Sequence, residues 1–397
     1  MQIPEIQAKL VEQGYDGWLF YDFHRRNPIA YRALGLPDDL IVTRRWYYYV
    51  PQQGEPAGLV SALEPHNLDA LPGKKLVYRT WEEGRDFLAL LLPTGGTVAM
   101  EYSPLNAIPY VSLVDAGTVD LIRSLGISVV SSADLVQVAV CLWTEQHWSD
   151  HREASRRLIE IKDRAFAEVA RRMRSRISTS DFEIQQFMAD CYHEAGLITD
   201  DPPIVATNER CSNPHYLPTL EHQTVMRDGD VLLIDFWAKL DKPGSVYADH
   251  TWMAFIGDIV PPRLAQVFLA VATARDRAIE FVSQSFAQRR AIHGWQVDNV
   301  ARESIKNAGF GDYFIHRTGH NIDKDVHGEG ANMDNYESHD ERRVLERTCF
   351  SIEPGIYLPE FGVRSEVDVF VAAPDQIDVT GVPIQREVIA LLSKRGG

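Results

Sequence analysis

The spacing of apolar and polar positions changes along this chain, and the change divides it in two. Up to about residue 145, short apolar runs (GWLFYD, IVTRRWYYYV, KKLVYR, TVAMEY and ISVVSS) alternate with stretches of helical period such as PEIQAKLVEQG and TVDLIRSLG. Runs rich in aromatic and β-branched residues, separated by helical stretches, predict a small α/β domain. This part carries no GxGxxG and no Walker motif, and nothing in it suggests catalysis.

From about Ser149 the pattern becomes a long charged helix, SDHREASRRLIEIKDRAFAEVARRMR. A second helix follows, opened by Ser180 with Glu183 three residues on, the spacing of a capping box. Ile184, Phe187, Met188 and Cys191 share one face of it, and it ends near Gly196. Further helices are expected at about 263–285 and 295–308. Strand-like runs lie between and after them: VLLIDFWA, ADHTWMAFIG, TCFSIEPGIYL and GVRSEVDVFVA. The expectation is two domains, 1–148 and 149–397. The length of 397 residues favours the same division, because single cores stop growing well below it.

Composition narrows the classes. The hydrophobic fraction of 45% and charged fraction of 24% are those of a soluble globular chain. A net charge of -16 disfavours nucleic acid and anionic membrane as partners. Four scattered cysteines without a CxxC pair suit a reducing compartment. The start, MQIPEIQAKLVEQG, lacks the basic and apolar regions of a secretory signal, and no apolar run reaches the length of a spanning helix. The expected location is the cytoplasm.

Two pairs of acids interrupt the apolar strands. Asp235 ends VLLID and Asp249 precedes TWMAFI, with the turn sequence DKPG between them. A hairpin centred on Lys242 would set Asp235 opposite Asp249. Glu353 and Glu366 likewise flank LPEFG, and a hairpin centred between Pro359 and Glu360 would set them opposite each other. Like charges facing across a ladder destabilise it, and burial raises their pKa values. Protons, a basic side chain or divalent cations must compensate. Arg364 is the one basic residue close by in either hairpin. Hard oxygen ligands suit Mn²⁺, Co²⁺, Zn²⁺ or Mg²⁺. Two solvated strand acids are the plain alternative for either pair, but two such pairs beside a histidine cluster tell against it.

That cluster is HRTGHNIDKDVH, which holds His316, His320 and His327. Gly319, Asn321, Asp323 and Gly328 argue against a continuous helix there, and Arg317 stands where the glutamate of HExxH belongs. An extended or looped segment is expected, with one or two of the three histidines able to reach a metal. His215, in SNPHYLPT, is expected on a loop. His250 should point to the opposite face of its strand from Asp249 and take no part.

Read in order, NPHY, LLIDFWAK, ADHT, the HxxxH…VH cluster and SIEPGIYLPEFGVRSEVD resemble the pita-bread metallopeptidases, in particular their Xaa-Pro aminopeptidase and prolidase branch. The likeness covers about residues 150–395. The N-terminal part resembles the creatinase-type domain these enzymes carry. The resemblance implies an α/β (α+β) architecture with a pita-bread catalytic domain. It implies a dinuclear centre, Mn²⁺ ahead of Co²⁺ or Zn²⁺, held by Asp235, Asp249, His320, Glu353 and Glu366, with Asp249 and Glu366 bridging. His215, His316 and His327 would serve catalysis and substrate binding, and Tyr357 and Arg364 would lie on the substrate side. The activity implied is hydrolysis of Xaa-Pro bonds in peptides or dipeptides by hydroxide held between two ions, with Glu353 shuttling the proton. A homodimer with no nucleic-acid or membrane partner is implied as well.

Some positions depart from the family pattern. Asp235 and Asp249 lie further apart than usual, Trp252 replaces a common arginine, Asn321 and Asp323 replace glycines, and VHG replaces VHE or VHD. Two other readings stay open: a non-peptidase enzyme on the same fold, creatinase-like or a lyase, and a non-catalytic binding protein. Creatinase-like and binding members normally lose ligands, whereas all five are present here.

Overall fold

The computed structural model describes residues 3–37 and 39–393. The chain divides into Met1–Leu142 and Trp143–Gly397. The division falls a few residues ahead of 148/149 because the long charged helix begins at Glu145, not near Ser149.

In the first unit, β1 (Gly17–Asp22), β2 (Trp46–Pro51), β3 (Ala57–Ser61), β4 (Lys74–Tyr78), β5 (Thr97–Met100) and β6 (Ser128–Ser131) form one mixed sheet in the order β4-β3-β2-β1-β5-β6. Five helices accompany it: α1 (Ile3–Gln13), α2 (Pro28–Leu34), α3 (Trp81–Leu91), α4 (Ala116–Ser124) and α5 (Ala133–Val140). Trp18 and Phe20 of β1 pack with residues of α1, α2 and α5, while Leu19 and Tyr21 pack with residues of α3 and α4. A strand covered on both faces reads as a continuous apolar run, which is why GWLFYD stood out. The expected strand IVTRRWYYYV is ordered as strand only from Trp46, and AGLVS adds a strand that its sequence did not announce.

The second unit opens with α6 (Glu145–Arg174), capped by Thr144 with His147, and α7 (Asp181–Glu194), capped by the Ser180–Glu183 box as its sequence predicts. Strands β7 (Leu197–Ile198), β8 (Ile204–Thr207), β9 (Val231–Leu240) and β10 (Ala248–Phe255) follow. Next come α8 (Pro262–Ala287) and α9 (Gly294–Asn307), close to the expected bounds. The remaining strands are β11 (Asn321–Ile322), β12 (Cys349–Ile352), β13 (Gly355–Tyr357), β14 (Gly362–Arg364), β15 (Val367–Ala373), β16 (Gln376–Val379) and β17 (Ile389–Ala390). They form sheets ordered β17-β10-β9-β7 with β8 also on β9, β11-β12-β15-β16, and β13-β14.

Alternation along β9 sorts its side chains between two cores. Leu232, Ile234, Phe236 and Ala238 pack with α6 and α7, while Val231 and Leu233 join Met253 and Phe255 of β10 on the side of α8 and α9. Asp235, Asp249 and Thr251 have the same parity as that second set. The acids are therefore set into an apolar face.

Candidate metal centre

The β9–β10 hairpin corrects the expected register. Asp235 pairs with Thr251 and Asp249 with Trp237, so the hairpin centres on Pro243 and not on Lys242. The shift is two residues, an even number, and both aspartates keep the same face as diagonal neighbours. A hydroxyl, not a second carboxylate, stands directly opposite Asp235. The other hairpin keeps the expected register. Gly355 pairs with Arg364 and Ile352 with Val367 about one common centre. Glu353 and Glu366 sit at the break between these two short ladders, where Pro354 has no N–H to offer.

Three of the expected ligands converge. One oxygen each of Asp249 and Glu366 and one ring nitrogen of His320 lie within 4.8 Å of one another, all buried. Glu353 borders them, its Oε1 3.5 Å from His320 Nε2. Asp235 is engaged differently: Arg364 Nη2 donates to its Oδ2 at 2.6 Å and Thr251 Oγ1 lies 3.1 Å from its Oδ1. The basic compensation considered for the acids is thus strongest at Asp235; Arg364 Nε reaches Glu353 Oε2 only at 4.0 Å. Asp249 Oδ1 and Glu366 Oε1 are buried with no hydrogen-bond partner among the described residues. Burial first, then neighbouring acids, push both carboxyls well above their ordinary range. Burial and the nearby Asp235 push Glu353 up to about 7 even though Arg364 pulls it down.

His320 fixes the chemistry of the gap. Its Nδ1 lies 3.2 Å from the Asn321 carbonyl, which can only accept, so Nδ1 carries the proton and Nε2 presents a lone pair. That lone pair faces Asp249 Oδ2 at 3.6 Å and Glu353 Oε1 at 3.5 Å. Burial, with His327 next, holds the His320 imidazole well below its ordinary pKa. A neutral nitrogen donor with buried carboxylate oxygens converging on it forms a donor set for a borderline or hard divalent ion.

The histidine segment is not helical. Asn321–Ile322 pairs with β12, and Gly319 bridges to Met333. A Cβ on Gly319 would come within 1.9 Å of the Ser351 carbonyl, so only glycine fits between His316 and His320. The ring of His327 stands edge-on to that of His320 at 4.3 Å, and His327 and His215 are both exposed. His316 is half-buried, with Nδ1 2.6 Å from the Arg317 carbonyl and Nε2 2.6 Å from the Tyr357 hydroxyl. Arg364 Nη1 donates to that hydroxyl at 2.9 Å. Burial and Arg364 bring His316 down to about 3. With Nδ1 donating to the carbonyl, the neutral ring accepts from Tyr357 at Nε2.

Two departures from the family pattern form one packed unit. The Asn321 carboxamide accepts from Gly330 N–H and donates to the Cys349 carbonyl, and a Cβ on Gly328 would lie 2.3 Å from its Oδ1. Asn321 and the glycine of VHG therefore require each other. Trp252 lies under the buried Lys162, whose Nζ is 3.7 Å from the ring centroid.

Sequence reasoning missed two residues of the site. Thr251 Oγ1 contacts Asp235, donates to Glu366 Oε2 at 2.7 Å and accepts from Arg364 Nε at 3.1 Å. Its place in ADHT, two residues past Asp249, was the available signal. Asp368 accepts from Asp249 N–H at 2.9 Å, with His151 Nε2 and His250 Nδ1 at 3.6 and 3.8 Å from the same oxygen. The expectation for His250 holds in that its ring turns away from the ligands, bonding Ser155 through Nε2 at 2.8 Å.

A model of metallopeptidase family M24 matches residues 153–373, more than half of the chain. The chain belongs to this family. Among M24 relatives, the Xaa-Pro dipeptidase of Lactobacillus helveticus is 33% identical over 41% of this chain and 40% of its own length. The Xaa-Pro dipeptidase of Pyrococcus furiosus is 31% identical over 42% and 44%. The chain thus spans about half or less of the length of curated relatives such as these. The crystal structure of a dipeptidase from Pyrococcus horikoshii is similar over 98% of this chain and 100% of that one, with a TM-score of 0.65 and 25% identity. The expected architecture, an α/β N-terminal part followed by the pita-bread fold, agrees with these M24 structures.

Proposed function

We propose that the chain is a metal-dependent exopeptidase, an aminopeptidase or dipeptidase, that hydrolyses Xaa-Pro bonds with two divalent ions, Mn²⁺ ahead of Co²⁺ or Zn²⁺. Asp235, Asp249, His320, Glu353 and Glu366 would hold them. The observation that carries this reading is the buried convergence of one oxygen each of Asp249 and Glu366 on a ring nitrogen of His320, with Asp249 Oδ1 and Glu366 Oε1 left without a hydrogen-bond partner among the described residues. Such ions supply Lewis acidity toward the amide carbonyl and lower the pKa of water. The names of the M24 relatives support the Xaa-Pro substrate class.

The chain's own residues supply the rest. Glu353, whose Oε1 borders the centre, is placed to carry a proton to the departing nitrogen. A prolyl nitrogen must gain that proton for its tertiary amide to break. Arg364 clamps Asp235 and Tyr357 together, and Tyr357 orients His316. His215 and His327, exposed beside the centre, are placed for peptide binding and for hydrogen bonds to the reacting group. All four cysteines are buried thiols, which supports a reducing, cytoplasmic setting. No helix among the described residues is long and apolar enough to cross a membrane. A homodimer completes the proposal, and its mass in solution tests that part.

The purified chain is assayed on Xaa-Pro dipeptides and on longer Xaa-Pro peptides with added Mn²⁺, Co²⁺ or Zn²⁺. Hydrolysis of either class supports the reading. Absence of hydrolysis under every metal sinks it.

A further inference from the structure

The loop joining α9 to β11 carries His316, Thr318 and His320; its backbone meets neighbouring chain at the Gly319–Met333 bridge, where Thr318 N–H also donates to the Met333 carbonyl at 2.9 Å, and at His320, whose carbonyl accepts from Ser351 N–H at 2.9 Å. Buried peptide groups need partners, since leaving them unpaired is costly. Two side chains one turn apart on α9 supply further ones. Asp298 is fully buried; its Oδ1 accepts from Thr318 N–H at 2.9 Å and from the Thr318 hydroxyl at 2.6 Å. Its Oδ2 accepts from Asn335 N–H at 3.0 Å. Arg302 grips the same carboxylate through Nε and Nη2, each at 3.0 Å. Its guanidinium also donates to the Phe314 carbonyl at 3.0 Å and the His316 carbonyl at 2.7 Å. The rings of Phe314 and Tyr336 lie 4.2 and 4.4 Å from the guanidinium carbon. A planar fork with five donors suits this arrangement, and a lysine could not reproduce it.

Two lines lead from this pair to the centre. Through His316, the ring held at Arg302 meets the Tyr357 hydroxyl at 2.6 Å. Through Thr318, the carbonyl of the residue fixed by Asp298 accepts from Glu353 N–H at 2.7 Å. The second line reaches a metal-side acid without passing through any substrate contact.

We propose that Asp298 and Arg302 are positioning residues: Arg302 sets the substrate-side His316, and Asp298, through Thr318, sets Glu353. The Arg302 half rests on the peptidase reading, whereas the Asp298 half requires only that the centre bind metal. Neither side chain touches the reacting atoms, so each acts through the residue it holds. Outer partners of metal ligands commonly control affinity or activity by about 10–100-fold, and displacements near 1 Å at a reacting group can cost about 100-fold.

The test uses the full-length chain stripped of metal. Asp298→Asn and Thr318→Val are titrated calorimetrically with Mn²⁺, and Arg302→Met and Arg302→Lys are compared in steady-state kinetics on an Xaa-Pro dipeptide. Asp298→Asn is expected to weaken Mn²⁺ binding by about 10–100-fold, with Thr318→Val shifting it in the same direction by less. Arg302→Met is expected to bind Mn²⁺ as the wild type does while kcat falls by about 100-fold and KM barely moves, with Arg302→Lys recovering part of kcat. A purely structural tie would lower Tm alone. Wild-type Mn²⁺ affinity in both Asp298→Asn and Thr318→Val overturns the metal half, and wild-type kcat in Arg302→Met overturns the histidine half. If Asp298→Asn does not fold, Thr318→Val decides the first; if Arg302→Met does not, Arg302→Lys decides the second. Should the wild type hydrolyse no Xaa-Pro peptide at all, the proposed function fails, while the Mn²⁺ titrations still decide the metal half.

Discussion

Each unit of this chain buries carboxylates completely, and the two treat them in opposite ways. In the first, Glu101 follows β5 with no exposed surface, and every oxygen is met by a donor. Trp18 Nε1 lies 2.7 Å and Ser132 Oγ 3.2 Å from Oε1, and Asn27 Nδ2 lies 2.7 Å from Oε2. In the second, Asp249 and Glu366 are buried too, but each keeps an oxygen without a partner among the described residues, although Thr251 donates to the other oxygen of Glu366, and both acids converge on the His320 ring nitrogen. Burial alone therefore says little about role. A buried acid ringed by donors is finished as a structural element, whereas buried acids aimed at one another and at an imidazole lone pair need a cation to complete them.

The contrast can be broken most sharply at the acids themselves. Asp249→Asn or Glu366→Gln should remove metal binding and peptide hydrolysis by more than the 10–100-fold that outer partners command. The metal-free protein should be no less stable, because a neutral amide replaces one of several repelling carboxylates. Elemental analysis, kinetics and thermal unfolding together check this. The matching change in the first unit, Glu101→Gln, should do the reverse. Turning an amide N–H₂ toward the Trp18 or Asn27 donors should cost about 1–3 kcal/mol of stability in denaturant unfolding and leave Mn²⁺ affinity unchanged.

Thr251→Val is a milder test of how finely the centre is set. One hydroxyl serves Asp235, Glu366 and Arg364, so its loss should weaken Mn²⁺ binding or kcat by about 10-fold with the fold intact. The smallest effect expected is a pH dependence. Burial raises the Glu101 carboxyl above its ordinary value. A raised folded pKa contributes stability that is complete below the unfolded value of about 4.3 and is lost as pH rises through the folded pKa. The stability gap between the wild type and Glu101→Gln should accordingly be largest in acid and narrow as pH rises. A gap that widens with pH would contradict the assigned direction.

Sequence pattern exposed those features that depend on local periodicity. The Ser180–Glu183 cap, the bounds of α8 and α9, and the strand GWLFYD follow from patterns that short-range forces set. Hairpin arithmetic located the four acids because side-chain parity survives a slip of two residues. It erred at Asp235 because the seven residues between β9 and β10 include a loop whose internal bonds, such as Ser245 Oγ to the Leu240 carbonyl, no strand pattern encodes. Thr251 and the Asp298–Arg302 pair stayed hidden for a different reason. Their partners lie far along the chain, Glu366 being 115 residues from Thr251, and a lone threonine or a helical Asp–Arg pair has an ordinary solvated role in most sequences.

The most direct measurement of the central claim is a calorimetric titration of the metal-stripped chain with Mn²⁺, paired with Tm. Two ions bound per chain, with about 2.7 kcal/mol of added stability for each ion at a hundredfold excess over its Kd, is the predicted result. Binding no stronger than that of Asp249→Asn, with an unchanged Tm, would contradict it.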